Sequence, residues 1–327
     1  MKVFITREIP RIGIEILEQA GVEMNIWQQK RPLTQNELID FCLQSDALLS
    51  AGYNNIDAHF LNECRHLKVV SLHSVGFDNV DVAEATKLKI PVGHTPGVLN
   101  SATADIAFLL MLAVSRKAFY CYEKIKKGAW KFFEPTADLG IELAGKTVGI
   151  FGLGNIGFEM AKRCKGAYDM KVIYHNRTKN LKAEKELDAE WVSFDQLLER
   201  SDVISLHSNL SEETRGKFDL DAFRKMKRSC IFINTARGAI HNEEDLIEAL
   251  KKGIIWGAGL DVTNPEPMDK NNPLLTMPSV AVLPHIGSAT VEARNGMARI
   301  AAQNVIAGLH GEKLLFPVNP EVYNGLS

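Results

Sequence analysis

Short apolar runs alternate with amphipathic stretches along almost the whole chain. Lys2–Thr6, Val22–Trp27, Ala47–Ser50, Val69–His73 and Pro91–Gly93 read as strands, with helical patterns such as Arg11–Ala20 and Gln35–Leu43 between them. This alternation predicts a parallel sheet covered by helices. A long helical pattern opens near Asn100, where Asn100 or Ser101 can cap it, and runs to about Lys127 before Gly128. After a loop containing Pro135 and Gly140, a second series begins. Its strands are Thr147–Phe151, Lys171–Tyr174, Val203–His207, Cys230–Asn234, Gly257–Asp261 and Val280–Leu283. Six strands with intervening helices make a complete dinucleotide-binding sheet.

A last helix, about Val291–Leu309, follows that sheet and leads to the tail Phe316–Ser327. A helix leaving a finished domain can return to the first one. The expected fold is therefore α/β, with two Rossmann-like or flavodoxin-like domains, each built on a parallel sheet. Residues 1–98 plus 288–327 form a discontinuous substrate-binding domain and residues 99–287 a dinucleotide-binding Rossmann domain. The active site is expected in the cleft between them.

Composition narrows the chemistry. A length of 327 residues, 46% of them hydrophobic, suits two domains with real cores. A net charge of −2 gives no basic field for nucleic acid or an anionic membrane, so any charged ligand must be drawn by local groups. Cys42, Cys64, Cys121, Cys164 and Cys230 are scattered and never spaced as CxxC, which reads as free thiols in a reducing compartment and no metal site. The opening MKVFITREIP runs straight into a strand-like stretch without the apolar core of a secretory leader. The longest apolar run, Ile106–Val114, is less than half of the ~20 residues a membrane span needs. A cytoplasmic protein is expected.

Strand Thr147–Phe151 is followed by Gly152-Leu153-Gly154-Asn155-Ile156-Gly157 and then a helix. In this context the first glycine makes the turn, the second admits a pyrophosphate and the third allows helix–strand packing, while the helix N-terminus faces the phosphates. The bland alternative is a structural glycine turn. Dinucleotide sheets that use NAD usually place an acid at the end of the second strand. Here that end reads His175-Asn176-Arg177-Thr178, with no acid. Arg177 can fork onto a 2′-phosphate, with Asn176 and Thr178 as further donors, so NADP(H) is expected over NAD(H). A merely solvated basic turn is the competing reading.

Three residues stand at or just beyond the ends of strands of the second series, where ligands bind in open α/β sheets. Arg237 follows Cys230–Asn234, Glu266 lies beyond Gly257–Asp261, and His285 follows Val280–Leu283. Reducing a ketone needs a hydride, a proton and a fixed substrate. Histidine is the natural proton donor near neutral pH, a carboxylate can hold its ring, and arginine can bind a carboxylate in a planar fork. Singly, each reads equally well as a surface arginine, an exposed turn glutamate or a structural histidine. Together they point to reduction of a 2-oxo acid.

The stretches Ser74–Asp81, Leu143–Gly157, Ile233–Gly238, Gly259–Pro267 and Pro284–Thr290 span nearly the whole chain. Through them the chain resembles the D-isomer-specific 2-hydroxyacid dehydrogenase family, most closely its glyoxylate/hydroxypyruvate reductase branch. The resemblance implies the triad Arg237, Glu266 and His285, and a substrate carboxylate gripped by backbone N–H groups at Val75 and Gly76. It places Thr103 near the cofactor phosphates, His207 and Thr214 along the adenosine half, and Asp261, Thr235 and Ala236 near the nicotinamide, with Gly287 beside them. It also implies a homodimer through the coenzyme domain. Asn209, Asp105 and His241 depart from the family's usual residues without touching the triad. A phosphoglycerate dehydrogenase-type enzyme and a dinucleotide-sensing corepressor-like module remain as alternatives.

Overall fold

Residues 1–324 are described in the computed structural model. The first unit comprises Met1–Leu99 and the chain from Ala289 onward. Its first elements are β1 (Lys2–Ile5), α1 (Arg11–Gln19), β2 (Glu23–Ile26), α2 (Gln35–Cys42), β3 (Ala47–Ser50), α3 (Ala58–Glu63), β4 (Val69–Leu72), α4 (Val82–Lys87) and β5 (Val92–Gly93). The strands form a five-stranded sheet in the order β2-β1-β3-β4-β5, each neighbouring pair parallel.

Alternate strand residues face opposite sides, as the pleat requires. Phe4, Leu48 and Val70 lie with Leu38, Phe60 and Ile90 on one face. Val3, Ile5, Leu49 and Val69 lie on the other, with Leu17 of α1 and the small residues Ala298, Ala301, Ala302 and Val305 of the last helix. That helix, Val291–Leu309, starts where Thr290 Oγ1 accepts the Ala293 N–H at 3.1 Å. It comes so close to the sheet that a Cβ at Gly308 would stand 2.4 Å from Val69 Cβ. Ser71 Oγ, fully buried in β4, donates to the Ala301 carbonyl at 2.9 Å.

The second unit is Asn100–Ser288. It contains α5 (Asn100–Ser115), α6 (Ala118–Lys126), β6 (Thr147–Phe151), α7 (Asn155–Tyr168), β7 (Lys171–His175), α8 (Leu181–Leu187), β8 (Glu190–Trp191), α9 (Phe194–Arg200), β9 (Val203–Leu206), α10 (Leu220–Lys225), β10 (Ile231–Asn234), α11 (Glu243–Lys251), β11 (Gly257–Leu260) and β12 (Val280–Val282). The helix Val291–Leu309 is α12. Seven strands run in the order β12-β11-β10-β9-β6-β7-β8, all parallel. Both faces are covered. Val148, Ile150 and Tyr174 meet Leu110, Val114 and Met160, while Phe151, Ile204 and Phe232 meet Leu197, Phe223 and Leu246.

Strand order reverses at β6, so the crevice at its C-terminal end is the expected ligand site of this topology.

Two elements differ from the sequence reading. The long helix expected from Asn100 to Lys127 is two helices. The Ser115 carbonyl, which a continuous ladder would use, accepts the Ile141 N–H at 2.9 Å, and Lys117 turns left-handed at φ 52°. The sheet also gains a seventh strand, β8. Two exposed residues are too short a run to show alternation, but Glu190 and Trp191 pair with Ile173 and Tyr174. Among the described residues, no helix is long and apolar enough to cross a membrane.

Candidate active site

The turn between β6 and α7 carries the glycine motif. Gly152 adopts φ 91°, and a Cβ there would meet Ser208 N at 2.5 Å. A Cβ at Gly157 would lie 2.8 Å from the Gly152 carbonyl, whereas at Gly154 nothing lies within 4 Å. The first and third glycines are thus fixed by packing, and the second opens onto space. Helices α2 and α9 are closed by capping boxes of Thr34 with Glu37 and Ser193 with Gln196, but α7 starts at Gly154 with no side-chain cap. Its first N–H groups, with Asn155 exposed and Ile156 half-buried, are left for an anion.

The turn after β7 is held by its neighbours. Asn176 Oδ1 accepts the Leu153 N–H at 2.6 Å, and its Nδ2 donates to the Leu153 carbonyl at 3.1 Å. Asn180 Nδ2 joins the same carbonyl at 3.0 Å. Trp191 Nε1, from the unforeseen strand, donates to the Asn176 carbonyl at 3.0 Å. The Asn176 amide therefore braces the glycine turn, with one N–H of Nδ2 engaged by the Leu153 carbonyl. Arg177 and Thr178 are exposed beside it.

Several enclosed polar atoms near the ends of β9 and β10 have no partner: His207 Nδ1, Ser208 Oγ and Thr235 Oγ1. Native folds rarely leave such groups unsatisfied, and together with the Gly154 opening they fit a polar ligand along this edge. His207 Nε2 pairs with Ser205 Oγ at 2.8 Å, so the ring is oriented from within the sheet. Thr214 is fixed within its loop. Its hydroxyl closes its own loop, accepting the Ser211 N–H and donating to the Asn209 carbonyl, both at 2.8 Å.

Arg237 is presented by a knot around Asn234, a fully buried residue at the end of β10. Asn234 Oδ1 accepts the Ala236 N–H at 3.0 Å, and Nδ2 donates to the Arg237 carbonyl at 2.8 Å and to His241 Nδ1 at 3.0 Å. His241 is buried and uncharged, its pKa pushed down to about 4 by desolvation, so Nδ1 is free to accept. The next residue, Gly238, admits the loop after β11: a Cβ there would stand 2.0 Å from the Thr263 carbonyl. That loop carries Glu266.

His285 Nδ1 lies 3.0 Å from Glu266 Oε2, with the two side chains 47% and 42% exposed. A carboxylate only accepts, so Nδ1 carries the proton and Nε2 is left for chemistry. His285 sits at φ 54°, a left-handed conformation uncommon for a residue with a Cβ. Asp261, buried at the end of β11, accepts the N–H groups of Ile286 and Gly287 at 2.8 and 2.7 Å. Burial raises its pKa, against the opposing pull of those two N–H donors. Gly287 in turn lies against Thr103, since a Cβ on it would be 3.5 Å from Thr103 Oγ1.

Asn234, Asn180 and Trp191 were missed in the sequence because they act on backbone groups and leave no motif. Val75 and Gly76 lie in the first unit, in the loop after β4. No group of three or more His, Cys, Asp or Glu among the described residues could hold a metal ion.

Comparison with known proteins identifies the family. Residues 108–287 match the family model described as D-isomer specific 2-hydroxyacid dehydrogenase, NAD binding domain. The chain is 44% identical over 315 residues to a glyoxylate reductase of Thermococcus litoralis, covering 95% of this chain and 94% of the relative. A crystal structure of a protein from Thermus thermophilus superposes with a TM-score of 0.90 at 39% identity, covering 97% of this chain and 100% of that one. An NADPH-dependent glyoxylate/hydroxypyruvate reductase from Sinorhizobium meliloti, solved with NADP and malonate, has a TM-score of 0.84 at 27% identity, covering 98% and 97%. These matches show that the chain belongs to the D-isomer-specific 2-hydroxyacid dehydrogenase family and is an NAD(P)-dependent oxidoreductase.

Proposed function

We propose that this protein reduces a small 2-oxo acid of the glyoxylate or hydroxypyruvate type to the D-2-hydroxy acid, with NADPH as preferred cofactor. The observation that carries the reading is the His285–Glu266 pair, 3.0 Å apart, on loops beside Arg237 at the C-terminal edge of the dinucleotide sheet. A dinucleotide held at this edge would supply the hydride. Glu266 fixes the imidazole tautomer, and Nε2 of His285 gives its proton to the substrate oxygen as negative charge develops there. Arg237 holds the carboxylate and polarises the oxo group. In the first unit, the N–H groups of Val75 and Gly76 are candidate donors to a carboxylate.

Around the cofactor, the uncapped start of α7 and the turn Gly152-Leu153-Gly154-Asn155-Ile156-Gly157 take the pyrophosphate. Thr103, His207, Thr214, Thr235, Ala236, Asp261 and Gly287 line the rest of its path. Preference for NADPH is supported by the absence of an acid after β7 and by exposed Arg177 and Thr178 in its place. One charge-assisted contact there contributes roughly 1.5–3 kcal/mol, about ten- to a hundred-fold in affinity. The relative solved with NADP agrees with this preference.

A homodimer through the second unit is supported by an apolar surface on α6 and the following loop, where Trp130, Phe132 and Phe133 are 67%, 68% and 82% exposed. All five cysteines are free thiols, in keeping with a cytoplasmic setting. Absorbance assays of NADPH and NADH oxidation with a panel of 2-oxo acids test the reading. Turnover of glyoxylate or hydroxypyruvate is expected, faster with NADPH at limiting cofactor. No turnover of any 2-oxo acid would overturn it.

A further inference from the structure

In the first unit, the loop after β4 treats its carbonyls and its N–H groups differently. Three consecutive carbonyls are held from within the protein. Thr95 N–H donates to the Ser74 carbonyl at 2.9 Å, His94 Nδ1 to the Val75 carbonyl at 2.9 Å, and Ser74 Oγ to the Gly76 carbonyl at 2.7 Å. The N–H groups on the other ends of those same peptides, at Val75, Gly76 and Phe77, meet no acceptor among the described residues. In a trans peptide the C=O and N–H point in opposite directions, so pinning a carbonyl aims its N–H away from the pin. On a bent segment, successive N–H groups line an anion-binding concavity, and the chain bends here at residues 73–75.

We infer that His94 is a positioning residue for the substrate carboxylate, acting through the Val75–Gly76 peptide; this rests on the 2-oxo acid reading above. A carbonyl oxygen can only accept, so Nδ1 of His94 carries the proton in this bond. The ring is doubly seated. It meets Phe77 edge-on, with centroids 5.8 Å apart and planes at 82°. Its backbone is fixed from both sides, with His94 N–H donating to the Phe316 carbonyl at 3.1 Å and its own carbonyl accepting from Asn304 Nδ2 at 3.2 Å. Asn304 is fully buried, and its Oδ1 takes the Leu315 N–H at 3.0 Å. Side chain and backbone thus form a rigid arm from α12 to the Gly76 N–H. The other two planes are held by a backbone N–H and a local hydroxyl, which leaves the Gly76 N–H as the donor under long-range side-chain control.

Two substitutions separate this role from simple packing. His94→Phe keeps the ring and its edge contact but removes the donor. His94→Asn loses the ring but puts Nδ2 on Cγ, where Nδ1 stands in histidine. With purified full-length chain, His94→Phe should raise KM for glyoxylate about five- to tenfold, the weight of one neutral hydrogen bond, while KM for NADPH stays at the wild-type value. His94→Asn should restore KM for glyoxylate to within about twofold. Hydrogen exchange gives a readout independent of turnover. At an oxalate concentration that half-saturates wild type, amide exchange across residues 74–77 should slow in wild type and His94→Asn, and several-fold less in His94→Phe. Wild-type glyoxylate KM and oxalate protection in His94→Phe, or equal impairment in His94→Asn, would overturn the inference while wild-type turnover leaves the functional reading intact. Absent turnover in wild type with oxalate protection still weakened in His94→Phe would overturn the functional reading and leave the positioning role standing.

Discussion

Asp261 holds both peptide N–H groups that follow His285, Ile286 at 2.8 Å and Gly287 at 2.7 Å, one to each carboxylate oxygen. The buried acid therefore fixes the path of the chain leaving the proposed proton donor. That restraint matters because His285 occupies φ 54°, which the backbone would not adopt without surrounding contacts. Replacing one oxygen by an amide would set N–H against N–H. Asp261→Asn should lower kcat by about ten- to a hundred-fold, the scale of a displacement near 1 Å at a reacting group. KM for NADPH, measured in the same titrations, separates a displaced histidine from a lost nicotinamide contact. An unchanged kcat would mean that the carboxylate does not position His285.

Stability should fall in mild acid because buried histidines, His73 and His241 among them, are kept neutral. Burial, aided for His73 by nearby Arg294, pushes the pKa values of His73 and His241 down to about 4, from 6.5 for the free side chain. Between pH 6.5 and about 4 the unfolded chain binds protons that the folded chain excludes. Their contribution is complete above the unfolded value and is lost as pH falls through that window, with a slope of up to about 1.4 kcal/mol per pH unit for each ring. Thermal unfolding midpoints should drop steadily on acidification. A His241→Leu variant should show a shallower drop, whatever its absolute stability. Equal slopes for the two proteins would show that His241 is not a linked group.

Cofactor choice should reside in Arg177. With the Asn176 amide committed to Leu153, the exposed guanidinium is the strongest candidate donor left in the turn. Arg177→Ala should raise KM for NADPH about ten- to a hundred-fold and leave KM for NADH near its original value. Matching losses with both cofactors would instead indicate a general disturbance of the turn.

The apolar arm after α6 should mediate self-association. Phe133→Glu with Trp130→Glu places charge on a surface now 82% and 67% exposed. Sedimentation analysis should find wild type at twice the chain mass and the double variant shifted towards the monomer. A wild-type chain that sediments as a monomer at micromolar concentration contradicts the dimer.

Much of this arrangement was legible in the sequence, and the reasons differ by feature. Arg237, Glu266 and His285 were visible because each follows a strand end, and strand ends of a parallel sheet converge on one edge. The glycine turn was visible because part of its steric demand is local, as the 2.8 Å approach of a Gly157 Cβ to the Gly152 carbonyl shows. What stayed hidden depends on partners distant in the chain. The break at Lys117 follows from Ile141 taking the Ser115 carbonyl, with no proline or glycine to mark it. Asn176 looked free because its bonds to Leu153 span 23 positions. His94 showed no signal, since its target, Val75, lies 19 residues away and is a backbone carbonyl.

The most direct measurement of the central claim is the single-turnover rate of NADPH oxidation by His285→Ala with saturating glyoxylate, alongside its affinity for NADPH. If His285 supplies the proton, the rate should fall by about 100-fold or more while NADPH binds as tightly as to wild type. A His285→Ala chain that turns over at close to the wild-type rate would contradict the assignment of this histidine as the acid.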